Sequence, residues 1–196
     1  MMTFASESSA ASDPATGPDA AAREEADLIV RSAAGDTQAF GEIVHRHHRR
    51  VFNFLAHRTR HHHDAEDLTQ QTFVKAFQHL GRFDQRRPLI NWLLTIARNS
   101  AFNHFRDVKK WEEMPVEPAG SDPTPARQAE EKEQTDGLWA RARELLSARE
   151  FEVLWLRFAE ELSTRETAQV VGLTETHVKV LVFRARAALL KGVKPS

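Results

Sequence analysis

Cysteine is missing from the whole chain, which excludes disulfides, thiolate zinc sites and thiol nucleophiles. Nothing therefore asks for an oxidising compartment. No apolar run approaches the roughly 20 residues needed to cross a bilayer. The first 26 residues mix Ala, Ser, Asp and Pro without a basic start or an apolar centre, so they read as neither secretion signal nor anchor. A cytoplasmic protein with no membrane insertion is the expectation. Strand-like alternation is absent too, as are a phosphate-binding glycine loop, a nucleophile elbow and a paired-carboxylate arrangement. The sequence gives no reason to expect an enzyme or a cofactor.

What remains is an all-α pattern. At 196 residues the chain can hold one compact domain or two small helical ones joined by a tether. The net charge of −1 hides an uneven distribution: residues 1–26 carry −4 and 107–136 carry −5, whereas 27–106 carry +5 and 137–196 carry +3. Two basic folded parts separated by acidic segments suit a protein that touches phosphate without binding DNA tightly on its own. The segment 111–137 holds four prolines, many acids and few large apolar residues, which predicts a flexible linker. The expected organisation is therefore a disordered tail over 1–22, a helical domain over 23–110, the linker over 111–137 and a second helical domain over 138–193.

Helical periodicity and caps place the elements. A short helix from about Arg23 to Ala34 ends at Gly35, and Asp36 caps a long one with Phe40, Ile43, Val44, His47, Val51, Phe54 and Leu55 on its apolar stripe. Asp64 is placed to cap a third helix with Leu68, Thr72, Phe73, Ala76 and Leu80, ended by Gly81. A fourth starts near Pro88 and runs through Ile90, Leu93, Leu94, Ala97, Ala101, Phe105 and Val108. Beyond the linker, Ser147-Ala148-Arg149-Glu150 and Ser163-Thr164-Arg165-Glu166 both spell the reciprocal capping box, so helices start near 148 and 164. The last helix begins after Thr174.

The spacing from Ala168 to Gly172 to Val178 fits a helix-turn-helix unit: a small residue where helices cross, a left-handed turn, then an apolar plug. Val171, Leu173 and Leu181 would close its core. The first turn of the second helix would then offer Thr176, His177 and Lys179 to a major groove, while Arg184 and Arg186 lie where phosphates or neighbouring acids would meet them. In the first half, Glu66, Asp67, Gln70, Gln71 and Val74 face away from the stripe of the third helix. On the fourth, Trp92, Thr95, Asn99, Phe102 and Arg106 step along one polar, aromatic and basic side, a combination suited to unpaired bases and phosphate. A tryptophan of this kind is as readily a core residue.

Two blocks of sequence carry a resemblance. The first is Asp64-Ala65-Glu66-Asp67-Leu68-Thr69-Gln70-Gln71-Thr72-Phe73, followed by Arg82-Phe83-Asp84, Asn91-Trp92-Leu93 and Ile96-Ala97-Arg98-Asn99. It resembles the second conserved region of extracytoplasmic-function sigma factors, of the sigma-70 family. The second, from Leu162-Ser163 through Glu166, Ala168, Gly172 and Val178-Lys179 to Arg184-Ala185-Arg186, resembles their fourth region. The resemblance implies a factor that binds core RNA polymerase and directs promoter-specific initiation. It further implies that Asp64, Glu66, Asp67, Gln70 and Gln71 dock on the coiled coil of the largest subunit. The loop Phe83 to Pro88, with Phe83, Asp84, Arg86 and Arg87, would hold a base flipped from the minus-ten element, beside Trp92, Arg98, Asn99, Asn103 and Arg106 on the non-template strand. Thr174, Thr176, His177, Lys179 and Arg184 would serve the minus-thirty-five element, the polymerase flap would be a second contact, and an anti-sigma factor a further partner. The linker would thread toward the RNA exit channel.

This sequence departs from the family pattern at Asn103, where Asp is frequent, and at Val180-Leu181, where a Ser-Arg pair is. The second departure removes a DNA-contacting arginine and shifts weight onto His177 and Lys179. Seven histidines fall between 45 and 63, with His57 and His61 at i, i+4, but no dedicated carboxylate partner accompanies them and no metal site is assigned. His47, on the apolar stripe, is expected to be a satisfied interior residue. The rival reading is a helix-turn-helix regulator whose first domain senses a ligand or dimerises.

Overall fold

The computed structural model describes residues 18–59, 61–112 and 130–192. Residues 1–17 of the expected tail over 1–22 and residues 113–129 of the expected linker over 111–137 lie outside the described residues, while 18–22, read as tail, are helical. Among those described there are eight α-helices, one 3₁₀ turn and no strand. The first group comprises α1 (Pro18–Ala33), α2 (Thr37–Thr59), α3 (His62–His79), the turn Leu80–Arg82 and α4 (Leu89–Glu112). The second comprises α5 (Glu130–Leu145), α6 (Ala148–Phe158), α7 (Thr164–Val171) and α8 (Glu175–Gly192). The all-α, two-domain expectation matches this architecture. Helix α5 starts earlier than composition indicated, inside the segment read as linker.

The α1–α2 corner forms as its residues dictate. Gly35 adopts φ +98°, and the Asp36 carboxylate accepts the amides of Gln38 and Ala39 at 2.9 and 3.0 Å. Those amide bonds, foremost that of Ala39, together with Arg31, hold the Asp36 carboxyl below the usual carboxylate range. Two expectations are corrected at α3. The helix begins at His62, so Asp64 lies inside its first turn and caps nothing, while His61 stands at the cap position without a side-chain bond. Gly81 does not end it either, because α3 tightens into the 3₁₀ turn, in which the Phe83 amide donates to the Leu80 carbonyl at 3.0 Å.

Both capping boxes are present, with Ser147 accepting from the Glu150 amide and Ser163 from the Glu166 amide while each glutamate returns to the serine N–H. Gly172 takes φ 67°, ψ 41°, the left-handed cap of α7. Ile43, Val51, Leu55, Leu68, Leu93 and Leu94 pack the first core, in which Phe40 also meets Phe77 with ring centroids 4.9 Å apart. Val153, Leu156, Val170, Val171 and Val178 pack the second. Full burial of such a side chain contributes about 1.5–3 kcal/mol, which makes these stripes the principal force holding the helices together. His47 is buried, with Nε2 2.8 Å from Glu25 Oε1, as an interior residue should be. That bond with His47 is the main reason the Glu25 carboxyl lies below its ordinary range.

The two domains do not stand apart. Helix α7 packs on α4, and α6 reaches α2 and α4 through polar contacts described below.

Candidate functional site

Helix α3 packs Ala65, Leu68, Thr69, Thr72, Phe73 and Ala76 inward. Its opposite face carries Asp67, Gln70, Gln71 and Val74, all exposed and spaced by three and four residues. Glu66 is exposed as well and lies 3.0 Å from His62 Nε2. Asp64 is half-buried, 3.5 Å from His104 on α4, and so belongs to the α3–α4 contact as much as to the outer face.

The turn after α3 and the start of α4, together with Gln169 and Val170 of α7, bound a cavity of about 360 Å³ whose other lining residues are Arg82, Phe83, Asp84, Arg87, Asn91, Trp92 and Thr95. Phe83 and Trp92 meet with centroids 5.1 Å apart and planes tilted by 41°, and the tryptophan is half-buried and lines the cavity. Asp84 receives Arg86 Nε and Nη2 at 2.9 and 3.0 Å and the Arg86 amide at 3.1 Å, which hold its carboxyl below the usual range and stiffen the loop. Further along α4, Asn99, Phe102, Asn103, Phe105 and Arg106 are exposed. Lys75 of α3 donates to Ser100 Oγ at 2.9 Å, fixing the rotation of this face relative to the acidic one. Arg98, expected beside Asn99 on the DNA side, instead lies 15% exposed with Nε 3.0 Å from Glu152 of α6.

In the second domain, Thr174, Thr176, His177 and Lys179 are exposed around the first turn of α8, where Thr174 Oγ1 accepts the His177 amide at 3.2 Å. Ala168, Val171 and Val178 are buried, as the helix-turn-helix spacing requires. Leu181 is buried with Val178 and Ala185, so this position serves the core. Arg184 is exposed, whereas Arg186 stacks over Phe158 at 4.9 Å from the ring centroid, a cation–π contact rather than an ion pair.

Against known families, residues 43–112 match the model for Sigma-70 region 2 and residues 138–189 that for Sigma-70, region 4. The chain is 31% identical over 186 residues to the ECF RNA polymerase sigma factor BldN of Streptomyces coelicolor, covering 91% of this chain and 68% of BldN. The chain is an extracytoplasmic-function sigma factor.

The ECF sigma factor SigM of Bacillus subtilis is also 31% identical, over 153 residues that cover 76% of this sigma factor and 91% of SigM. Two solved structures share the fold. CnrH, in complex with the cytosolic domain of CnrY, gives a TM-score of 0.62 at 26% identity and covers 86% of this chain and 96% of its own. RpoE from Bartonella quintana, in complex with the anti-sigma factor NepR, gives 0.60 at 25% identity over 78% and 94%. As a sigma factor the protein directs transcription initiation by RNA polymerase, and the regulator reading is not favoured.

Sequence reasoning missed Arg50, Arg58, Glu152 and Glu160. Arg58 Nη1 donates to Glu152 Oε1 at 2.9 Å, and Arg50 Nε to Glu160 Oε2 at 2.9 Å, each across the domain boundary. One signal was available: Glu152 interrupts the apolar run Phe151 to Leu156, and all six residues are buried. Among the described residues no group of three or more His, Asp or Glu could hold a metal ion. His57 lies against Trp155, with centroids 3.8 Å apart, and 2.6 Å from Arg143 Nη2.

Proposed function

We propose that initiation by this sigma factor is divided among three surfaces. The exposed face of α3, with Asp67, Gln70 and Gln71 at its centre and Glu66 at its edge, docks on an arginine-rich coiled coil of core polymerase. A carboxylate and two amides on one helical face give orientation and specificity more than raw affinity. The cavity lined by Phe83 and Trp92 takes a base flipped out of the minus-ten element, with Arg87 at its rim and Arg86 in the adjoining loop for phosphate, and Asn99, Asn103 and Arg106 along the continuing strand. The first turn of α8 reads the upstream element through Thr176, His177 and Lys179, with Thr174 and Arg184 toward phosphate.

The observation that carries this reading is the cavity itself, an aromatic-walled recess edged by arginines at the head of an exposed Asn- and Arg-bearing helix. Base–aromatic stacking is worth about 1–3 kcal/mol per base, comparable to the cost of unstacking one base, so opening needs no ATP. Helix α4 lends Arg98 to this surface only when that residue is released from Glu152. A cytoplasmic location and an anti-sigma partner are part of the proposal. Support comes from the absence of any membrane-crossing helix among the described residues and from the CnrY and NepR complexes of the two structural relatives.

Run-off transcription with core polymerase and no other sigma factor tests the whole. The wild type should yield promoter-specific transcripts. Asp67→Ala with Gln70→Ala should weaken core binding. Trp92→Ala should leave core binding intact and reduce strand opening, read by permanganate reactivity, by about tenfold or more. No promoter-specific transcript from the wild type would overturn the assignment.

A further inference from the structure

A second cavity, of about 320 Å³, opens where α2 and α4 face α5 and α6. Its walls are largely aromatic. Phe54, Phe151 and Trp155 are buried in them, and the rings of Phe151 and Trp155 stack with centroids 6.2 Å apart and planes at 27°. Phe105 and Ala148, the exposed members of the lining, mark its mouth. Neither the polymerase docking nor the strand reading proposed above uses this space.

The polar groups of the lining are short of acceptors. Glu152 supplies the carboxylate there, and it is already engaged by Arg58 Nη1 at 2.9 Å and by Arg98 Nε at 3.0 Å. Arg58 Nε and the indole Nε1 of Trp155 are buried N–H donors without a hydrogen-bond partner, and Trp155 is only 6% exposed. A buried donor left unpaired is costly, so such a pair of groups in one lining asks for an acceptor. Arg143 adds positive charge, lying over the Phe151 ring at 5.4 Å with Nη2 2.6 Å from His57 Nδ1. The Arg58 guanidinium is held below the ordinary arginine range chiefly by burial, against the pull of Glu152 and with Arg98 adding repulsion, a strain that a nearby anion would relieve. Water alone fits poorly. One molecule needs about 10–15 Å³, far less than this cavity offers, and filling the rest with water would wet the aromatic faces.

We propose that this cavity is a binding site for a small aromatic carboxylate, its planar ring against Phe54, Phe151 and Trp155 and its oxygens accepting from Arg58 and Trp155. The walls select the ring, since an aliphatic anion would leave their faces unmatched. The charge selects a monoanion: Arg58 and Arg143 against Glu152 leave one net positive charge in the lining, too little for a phosphate ester. Because α2 and α4 supply one side and α5 and α6 the other, a bound ligand stabilises the arrangement in which the two sides meet.

Calorimetric titration of the full chain with 2-naphthoate, and with its neutral counterpart 2-naphthamide, tests the site. The acid should bind once per chain, tighter than about 1 mM for a probe of this size, and should raise the unfolding temperature of the wild type. The amide should bind at least about tenfold more weakly, because an ionised acceptor makes the stronger bond. Trp155→Phe keeps the wall and loses the N–H, and should weaken binding of the acid by roughly fivefold. Arg58→Lys keeps the charge and loses the Nε–H, and should weaken it by about tenfold. Arg58 also pairs with Glu152, so circular dichroism checks that this variant is helical. If it is not, Ala148→Trp decides: it fills the mouth from an exposed position and should abolish binding without loss of helix. No binding of the acid tighter than about 1 mM overturns the site. Equal affinity for acid and amide overturns the recognition of a carboxylate, and undiminished binding by Ala148→Trp places the probe elsewhere and overturns the assignment as a whole.

Discussion

Glu166 performs two tasks with one carboxylate: it closes the capping box on Ser163 and accepts Asn91 from the other domain. The bonds from Ser163 come first among the causes that hold its carboxyl below the ordinary value of 4.5, with Asn91 and Arg157 adding to them. A lowered folded value means the ionised group stabilises the native state above the unfolded pKa, and that this contribution fades as pH falls through the folded one. Ser163→Ala should cost about 1 kcal/mol at neutral pH, and the gap from wild type should narrow as pH drops below 4.5. Urea midpoints measured across that range check it; a gap independent of pH would show that the ionised cap is not what Ser163 supports. Leu181 illustrates a residue whose meaning only packing supplies. As a departure from the family pattern it reads as a lost arginine, whereas its burial beside Val178 and Ala185 makes it part of what holds α8 on α7.

At the scale of elements, the helices with local signals were legible and those with none were not. The two capping boxes fixed the starts of α6 and α7 to the residue because Ser and Glu three apart satisfy each other's backbone donors without help from the rest of the chain. Asp64 carried the same kind of signal and misled, since a carboxylate in the first turn is equally favoured by the helix dipole and needs no capping bond. The start of α5 was hidden because acid-rich residues 130–136 have the composition of a linker and no apolar period. Helix α8 presents His177 and Lys179 on its exposed first turn, and the proposed reading of the upstream element rests on them. His177→Ala and Lys179→Ala should each reduce upstream-element selectivity in transcription assays. A good base contact is worth about 1–3 kcal/mol, and the loss of preference for the upstream element should be of that order at each position. Unchanged selectivity in both variants would mean that the recognition helix does not read sequence through this turn.

For the whole molecule, composition and motif order exposed the two domains but not their embrace. Arg58 meets Glu152 across 94 residues of chain and Arg50 meets Glu160 across 110, and no local period records pairs so far apart. Glu152 stood out only as a charge in an apolar run, a pattern that is costly unless a cation is waiting for it. The docking has a thermodynamic consequence apart from DNA. Two small helical domains that merely share a tether would unfold separately, whereas domains joined through buried ion pairs and through Trp155 against His57 should lend each other stability. Thermal unfolding of the wild type followed by far-UV circular dichroism, which sees both domains, and by tryptophan fluorescence, dominated on the C-terminal side by Trp139 and Trp155, should therefore give coincident transitions. In the Glu152→Gln, Glu160→Gln variant the two probes should separate, with the earlier transition belonging to whichever domain drew more from the contact. Coincidence in both proteins would place the coupling in the apolar packing of α7 on α4 and leave the glutamates only a steering role; separation already in the wild type would mean that the domains are not docked in solution.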